Sequence, residues 1–206
     1  RGQPETGADM ADDLARFCET YGGSTIAAVF VEPIAGSTGV LVPPKGYLER
    51  LREICDEHGI LLVFDEVICG FGRLGAPFAS HAFGVTPDLM TMAKALTNGA
   101  QPMGAVAVDD HVYKTITEAA PENAIEFFHG YTYSGHPAAC AAGIAVQKIY
   151  QDEQSFDKAA SLSDYFLDGL FSLQDLDVVK DIRGYGLMGG VELHPKGAPG
   201  ALGTQT

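Results

Sequence analysis

The first third of the chain alternates between helix-like and strand-like hydrophobic patterns. Apolar side chains recur at helical spacing from Met10 to Tyr21, which predicts an amphipathic helix that ends at Gly22. Residues 26–31 (IAAVFV) are apolar on both faces, as expected for a central parallel strand covered by helices. Residues 48–55 predict a second amphipathic helix, and residues 60–64 (ILLVF) predict a second strand of the same two-sided kind.

The alternation of strands and helices continues to the end of the chain. Residues 88–92 and 104–108 predict strands, residues 137–150 a largely buried Ala-rich helix, residues 156–173 another amphipathic helix and residues 178–193 a strand pair. This order predicts an α/β fold with a mostly parallel sheet flanked by helices. We assign residues 1–177 to part of one large domain and residues 178–206 to the incomplete start of a smaller C-terminal domain.

Composition excludes several classes of function. Thirteen Lys and Arg against 27 Asp and Glu give a formal net charge of −14, which repels phosphate backbones and anionic membrane surfaces. The longest wholly apolar stretch, residues 138–146, is shorter than the ~18 residues that cross a bilayer. Four cysteines without a CxxC pair are typical of a reducing compartment. We therefore expect a cytoplasmic protein that has no nucleic-acid or membrane partner.

The candidate chemistry lies at strand ends, where open parallel sheets bind their ligands. Asp65 directly follows the ILLVF strand, and Lys94 follows residues 88–92 within an apolar context that should desolvate its amine and make it nucleophilic. A lysine that holds an aldehyde as a Schiff base and an acid that keeps a ring nitrogen protonated are what pyridoxal 5'-phosphate requires. Alternatively, Asp65 caps a following helix and Lys94 extends to water.

The segments around these two residues resemble a known family. LLVFDEVICGFGRLG and PDLMTMAKALTNG are similar to the signature of the class III aminotransferases, and VEPIAGSTGV, FFHGYTYSGHPAACAAG and DIRGYGLMGGVEL follow the family in the same order. The resemblance covers nearly the whole chain. It implies the pyridoxal-phosphate-dependent transferase fold type I, which is the aspartate-aminotransferase-like fold, with residues 1–177 in the cofactor-binding domain.

The resemblance also implies a role for individual residues. Asp65 and Lys94 become catalytic and cofactor-binding residues: Asp65 pairs with the pyridine nitrogen and Lys94 carries the Schiff base. Val67 packs against one face of the cofactor ring, with Ile68 beside it. Thr132 reaches across a subunit interface to the phosphate of the partner's cofactor, which implies a homodimer or a dimer of dimers.

Two departures from the wider family indicate the substrate class. Ser37 stands where the ornithine, acetylornithine and 4-aminobutyrate branches usually carry a glutamate, and Ile68 stands where they carry a glutamine. Both departures resemble the omega-amino-acid:pyruvate branch, which includes beta-alanine:pyruvate aminotransferases. We therefore expect an enzyme that moves an amino group from an omega-amino acid or amine to pyruvate. Its partners would be a small-molecule amino donor and a keto-acid acceptor.

Two alternatives remain open on the sequence. One is a glutamate-1-semialdehyde aminomutase-like isomerase, and the other is a truncated, non-catalytic remnant of the fold. The family places a phosphate-binding cup before the first residue here and a carboxylate-binding arginine after the last one, so we expect a partial chain that has little activity alone. The six histidines show no metal-ligand spacing, and we expect no metal site.

Overall fold

The computed structural model describes residues 1–127, 129 and 132–195. The described ranges contain six α-helices and six strands, with short 3-10 helices at Ala8–Ala11, Gly23–Thr25 and Lys94–Leu96. The helices are α1 (Asp12–Tyr21), α2 (Tyr47–His58), α3 (Ala79–Phe83), α4 (Asp110–Glu118), α5 (Pro137–Asp152) and α6 (Ser155–Phe171). The strands are β1 (Ala28–Val31), β2 (Leu61–Asp65), β3 (Leu89–Met92), β4 (Ala105–Val108), β5 (Val179–Tyr185) and β6 (Met188–Leu193).

Strands β1 to β4 form one sheet in the order of the chain. β1, β2 and β3 are parallel, and β4 is antiparallel to β3. The expectation of an α/β fold with a mostly parallel sheet is confirmed. The three parallel strands of the sheet end at the same edge, which places the residues that follow β1, β2 and β3 near one another.

The main core lies between the sheet and helices α1 and α2. Leu48, Leu51, Ile54 and Cys55 of α2 are all buried, as their spacing predicts, and they pack with Phe64 of β2. Helix α2 ends at Gly59, whose φ of 67° is a left-handed conformation that glycine adopts without steric cost.

A carboxylate joins α2 to the sheet. Asp88, immediately before β3, accepts hydrogen bonds on Oδ2 from the backbone N of Leu62 at 2.6 Å and from Nη1 of Arg52 at 2.8 Å. Leu62 is fully buried, so its N–H depends on this protein acceptor. Asp88 thus fixes the start of β2 against both β3 and α2.

Burial of α1 differs from the predicted pattern. The helix is present, but Met10, Phe17 and Tyr21 are 64%, 54% and 65% exposed. The small residues Ala11 and Cys18 are buried instead. These small side chains let α1 lie close to α2, and the large apolar ones point outward.

Two other segments are less covered than the sequence suggests. β1 lies at one edge of the sheet, and its Phe30 is 73% exposed. In α5 the buried residues are Gly143 and Val146, and Ile144 is 71% exposed. The prediction of a two-sided buried strand and of a largely buried helix is therefore wrong for this chain, because no described element covers these faces.

Strands β5 and β6 form an antiparallel hairpin, as predicted. The hairpin turns at Gly186, where an added Cβ would lie 2.6 Å from the Cα of Leu74. Met188 of the hairpin shares a buried cluster with Ile34, Cys69 and Leu74. The division of the chain into domains at residue 178 stays a prediction. Among the described residues, no helix combines the length and the apolar character that a membrane crossing requires.

Candidate active site

Asp65 and Lys94 follow neighbouring parallel strands at one edge of the sheet. The Cα of Asp65, the last residue of β2, is the register partner of Thr91 in β3. Lys94 comes three residues after Thr91 and begins the 3-10 turn that follows β3. The structure therefore brings the two candidate residues to adjacent strand ends.

The Asp65 carboxylate stabilises a turn and has spare hydrogen-bonding capacity. Asp65 is half-buried, and its Oδ1 accepts a hydrogen bond from the backbone N of Val67 at 3.0 Å. Turns follow at residues 67–74, so the alternative in which Asp65 caps a helix is wrong. Within the described ranges Oδ2 has no protein donor, which leaves it available to a ligand.

Glu66, which the sequence reasoning missed, is buried beside Asp65. Its side chain is 0% exposed, and its two carboxylate oxygens accept hydrogen bonds from the backbone N of Ala79 and of Ser80, each at 2.9 Å. Burial raises the pKa of Glu66, while the two backbone N–H groups oppose that rise. The sequence signal for Glu66 was its position as a second acid directly after an apolar strand. Its role is to anchor the start of α3.

Lys94 occupies an unusual backbone conformation at the strand end. Its φ is 45°, in the left-handed region that residues with a Cβ rarely adopt, and its carbonyl accepts a hydrogen bond from the N of Thr97 at 3.3 Å. The side chain is exposed, so the expectation that apolar neighbours desolvate it is wrong for this chain. The reason is that Lys94 lies in a turn beyond the sheet edge. No partner of Nζ is present among the residues that the structure describes.

Val67 and Ile68 follow Asp65 at the same sheet edge and are half-buried. Ile68 abuts the loop after β1, since a Cβ added at Gly36 would lie 2.9 Å from Ile68 Cδ1. Ser37 is the next residue of that loop. The two positions that indicate the substrate class are therefore neighbours in space.

Thr132 lies in the turn before α5, far along the chain from Asp65 and Lys94. It is exposed and lines an open cavity of about 800 Å³. Neither Asp65 nor Lys94 lines this cavity. The other lining residues include Gln101, Met103, Tyr133, His136 and Cys140.

The cysteines and histidines provide no second centre in the described ranges. No group of three His, Cys, Asp or Glu side chains there could hold a metal ion. The four cysteines are free thiols. Burial raises the pKa of Cys69 to about 12 and that of Cys55 to about 11, so both thiols are held in the protonated, unreactive form.

A mostly parallel sheet with an acid and a lysine on neighbouring strand ends is the arrangement expected of a pyridoxal-phosphate-dependent transferase of fold type I. Residues 4–201 match the family Aminotransferase class-III, and the chain belongs to that family. A solved structure of a thermostable (S)-enantioselective omega-transaminase from Thermomicrobium roseum has a TM-score of 0.85 and 41% identity, covering 91% of this chain and 41% of that one.

Curated relatives give the same assignment. An omega-aminotransferase from Caulobacter vibrioides is 58% identical over 98% of this chain and 46% of its own length. An omega-amino acid–pyruvate aminotransferase from Pseudomonas putida is 52% identical over 95% of this chain and 44% of its own length. The chain thus spans slightly less than half the length of these relatives.

The residues at the sheet edge fit pyridoxal phosphate, on which class III aminotransferases depend. An aldehyde needs a primary amine, which Lys94 Nζ could supply, and a protonated ring nitrogen needs an acceptor, which Asp65 Oδ2 could supply. Within the described ranges neither atom is engaged by another protein group. The donor set therefore matches both reactive ends of the cofactor ring.

Proposed function

We propose that the intact protein is a pyridoxal-phosphate-dependent aminotransferase that moves an amino group from an omega-amino acid or amine to pyruvate. The observation that carries the proposal is the placement of Asp65 and Lys94 on adjacent parallel strand ends, each with an unengaged side-chain atom. The relatives described above are named as aminotransferases, which does not favour the isomerase alternative.

Asp65 would hold a proton at the ring nitrogen. The N–H of Val67 fixes one carboxylate oxygen, and the second oxygen accepts the hydrogen bond of the protonated nitrogen. When bound, pyridoxal phosphate supplies an electron sink for the charge left on the substrate carbon after proton removal. The negative charge of Asp65 keeps that sink effective because it favours the protonated ring.

Lys94 would act twice in each half of the reaction. Its Nζ would hold the cofactor at the aldehyde carbon while no substrate is bound, and would be freed when a donor amine takes its place. The freed amine would then take the proton from the substrate carbon as general base and give it up again as general acid. Its exposed position at the strand end leaves the amine accessible to a substrate.

Further residues would complete the cofactor site. Val67, with Ile68 beside it, would pack against one face of the ring, since both lie directly after Asp65 at the same edge. Thr132 would bind the phosphate of the cofactor in the partner subunit of a homodimer, alone or paired as a dimer of dimers. Its exposure, and its distance along the chain from the strand ends, support a role toward a second subunit.

The substrate class is supported by Ile68 and Ser37. Ile68 contacts the loop that carries Ser37, so a glutamine and a glutamate at these positions would have placed two polar side chains close together. Neither position carries a charge in this chain, although Glu32 places a carboxylate at the same loop, where its Oε2 accepts a hydrogen bond from the backbone N of Gly36 at 3.0 Å.

We also propose the surroundings in which this chemistry operates. Residues 1–177 would belong to the large cofactor-binding domain and residues 178–206 to the start of the small domain. Four free cysteines, of which Cys18, Cys55 and Cys69 are buried, support a reducing compartment and hence the cytoplasm.

The test uses the intact protein with added pyridoxal phosphate, beta-alanine and pyruvate. We expect alanine to form, and borohydride reduction followed by peptide mass spectrometry to find the cofactor mass on residue 94. Lys94→Ala should lose both signals. Lys114→Ala, which removes an exposed lysine paired with Asp110, is the matched control and should keep both.

Three results would count against the proposal. If Lys94→Ala formed alanine at the rate of the wild type, Lys94 would not be the lysine that binds the cofactor. Conversion of an amino aldehyde within one molecule, without use of pyruvate, would favour the isomerase. Cofactor binding without any turnover would favour a non-catalytic remnant.

A further inference from the structure

A tyrosine of helix α5 holds the turn that begins with Lys94. The hydroxyl of Tyr150 donates a hydrogen bond to the carbonyl oxygen of Ala95, with an oxygen–oxygen distance of 2.6 Å. The same hydroxyl accepts a hydrogen bond from Nδ2 of Asn98 at 2.9 Å. The two bonds are compatible because the Tyr150 oxygen accepts from the Asn98 amide while its single proton is donated to Ala95. One side chain thus binds both ends of the turn.

The turn needs such a partner because its backbone is strained. Lys94 has a φ of 45° and Asn98 a φ of 50°, both in the left-handed region. Asparagine tolerates that region, whereas lysine stays in it only where the surrounding structure fixes it. The buried Thr97 adds a local link, from its Oγ1 to the carbonyl of Gln101 at 2.7 Å. Tyr150 differs because it ties the turn to a separate helix.

The ring of Tyr150 extends the same connection to the loop after β2. It stacks on Phe71 with a centroid distance of 6.1 Å and packs against Phe156 at 5.2 Å. Phe71 lies in the loop that follows Asp65 and itself has a positive φ of 59°. Tyr150 therefore contacts both of the loops that leave the candidate active site.

We propose that Tyr150 is a positioning residue for Lys94. The inference rests on the proposed function, in which Nζ must reach the cofactor aldehyde and later the substrate carbon from one fixed backbone. A small rotation at Lys94 is amplified along its four-carbon side chain, and misplaced reacting groups lose rate steeply. Tyr150 touches no reacting atom. It acts by fixing the backbone from which the lysine extends.

The principal test is Tyr150→Phe in the intact holoenzyme, because the ring contacts remain and only the hydroxyl is lost. From the usual strength of one hydrogen bond we expect kcat to fall about 3- to 10-fold. KM for the amino donor should change by less than about twofold, since the substrate does not touch the hydroxyl. In cofactor-free protein, hydrogen exchange of backbone amides 94–101 should be at least about threefold faster.

A second variant tests the same link from the other side. Asn98→Asp keeps the size of the side chain and its tolerance of a positive φ, but its carboxylate competes with Ala95 for the hydroxyl proton. We expect kcat to fall in this variant too. The matched control is Tyr165→Phe in α6, where the tyrosine is 82% exposed. Its kcat, KM and hydrogen exchange should equal those of the wild type.

The outcomes separate this inference from the proposed function. If the wild type transfers amine to pyruvate and both variants match its kcat, the inference about Tyr150 is overturned and the proposed function stands. If the wild type has no such activity and Lys94→Ala retains cofactor equally well, the proposed function fails first. Should Tyr150→Phe fail to fold, an unchanged kcat in Asn98→Asp still overturns the inference, and a reduced one supports it.

Discussion

The backbone N–H of Glu66 donates a hydrogen bond to the carbonyl oxygen of Thr91, with a nitrogen–oxygen distance of 3.0 Å. This bond extends the pairing of β2 and β3 one residue past Asp65. This bond holds the ends of β2 and β3 together, at the point where Asp65 ends β2 and the chain turns from β3 toward Lys94. Reactive groups placed at the ends of paired strands are positioned more accurately than groups on free loops.

The first prediction concerns the charge of Asp65. In Asp65→Asn the amide oxygen still accepts from Val67, but no negative charge remains to keep a ring nitrogen protonated. We expect kcat to fall by at least about 100-fold, with a much smaller loss of bound cofactor, measured by steady-state kinetics and by absorbance after dialysis. Asp175→Asn, at an exposed loop position, is the control. Equal activity in Asp65→Asn would falsify the proposed role.

The second prediction concerns Glu66. Gln has one acceptor oxygen for the two N–H groups of Ala79 and Ser80, so Glu66→Gln should lower the free energy of unfolding by about 1–3 kcal/mol at neutral pH. Urea unfolding measures this change. Glu57→Gln, an exposed position on α2, should leave the free energy nearly unchanged.

The third prediction concerns how the stabilisation by Glu66 changes with pH. Burial raises its pKa in the folded state, so the folded protein holds this proton more tightly than the unfolded chain does. The stabilisation from Glu66 is therefore fully present below its ordinary pKa and declines as pH rises through the raised value. The stability difference between wild type and Glu66→Gln should narrow over that range. A difference that widens with rising pH would contradict the direction of the shift.

The fourth prediction concerns Asp88. Asp88→Ala removes the acceptor for the buried N–H of Leu62 and one partner of Arg52, which should cost about 1–3 kcal/mol in the free energy of unfolding. Asp56→Ala removes the other, more exposed partner of Arg52 and should cost at most about 1 kcal/mol. Equal costs in urea unfolding would show that the Leu62 contact contributes nothing.

The fifth prediction concerns thiol reactivity. Cys55 and Cys69 have pKa values raised by burial to about 11 and about 12, so iodoacetamide should modify them only after unfolding. Cys140 is half-exposed and should react first. Peptide mass spectrometry over a time course gives the order. Early modification of Cys69 in the folded protein would contradict the burial described here.

The described strands and helices α1, α2, α5 and α6 follow from the sequence, but α3 and α4 do not, and several outward faces differ from the predicted pattern. Leu48 and Ile54 are buried as predicted because α2 packs against a sheet that this chain itself supplies. Phe30 and Ile144 carry the same apolar signal and are exposed, since periodicity reports which face is apolar and not which element covers it. A hydrophobic pattern therefore predicts burial only where the covering element is also present.

The candidate site shows the same division. A position directly after an apolar strand was enough to locate Asp65 at the sheet edge. The exposure of Lys94 was predicted wrongly, because apolar neighbours in sequence belong to β3 and the lysine has already left it. Glu66 and Tyr150 were missed because their roles depend on hydrogen bonds to backbone groups far along the chain; the second acid after β2 was a local signal for Glu66, and Tyr150 had none.

The edge position of β1 affects how this chain behaves in isolation. β1 and β4 are the outer strands of the described sheet, and Phe30, Val106 and Val108 are exposed on them. Open strand edges with apolar side chains are templates on which other chains add as further strands. At high concentration these two edges would favour insoluble intermolecular β-structure, and a lysine in place of Phe30 would reduce it.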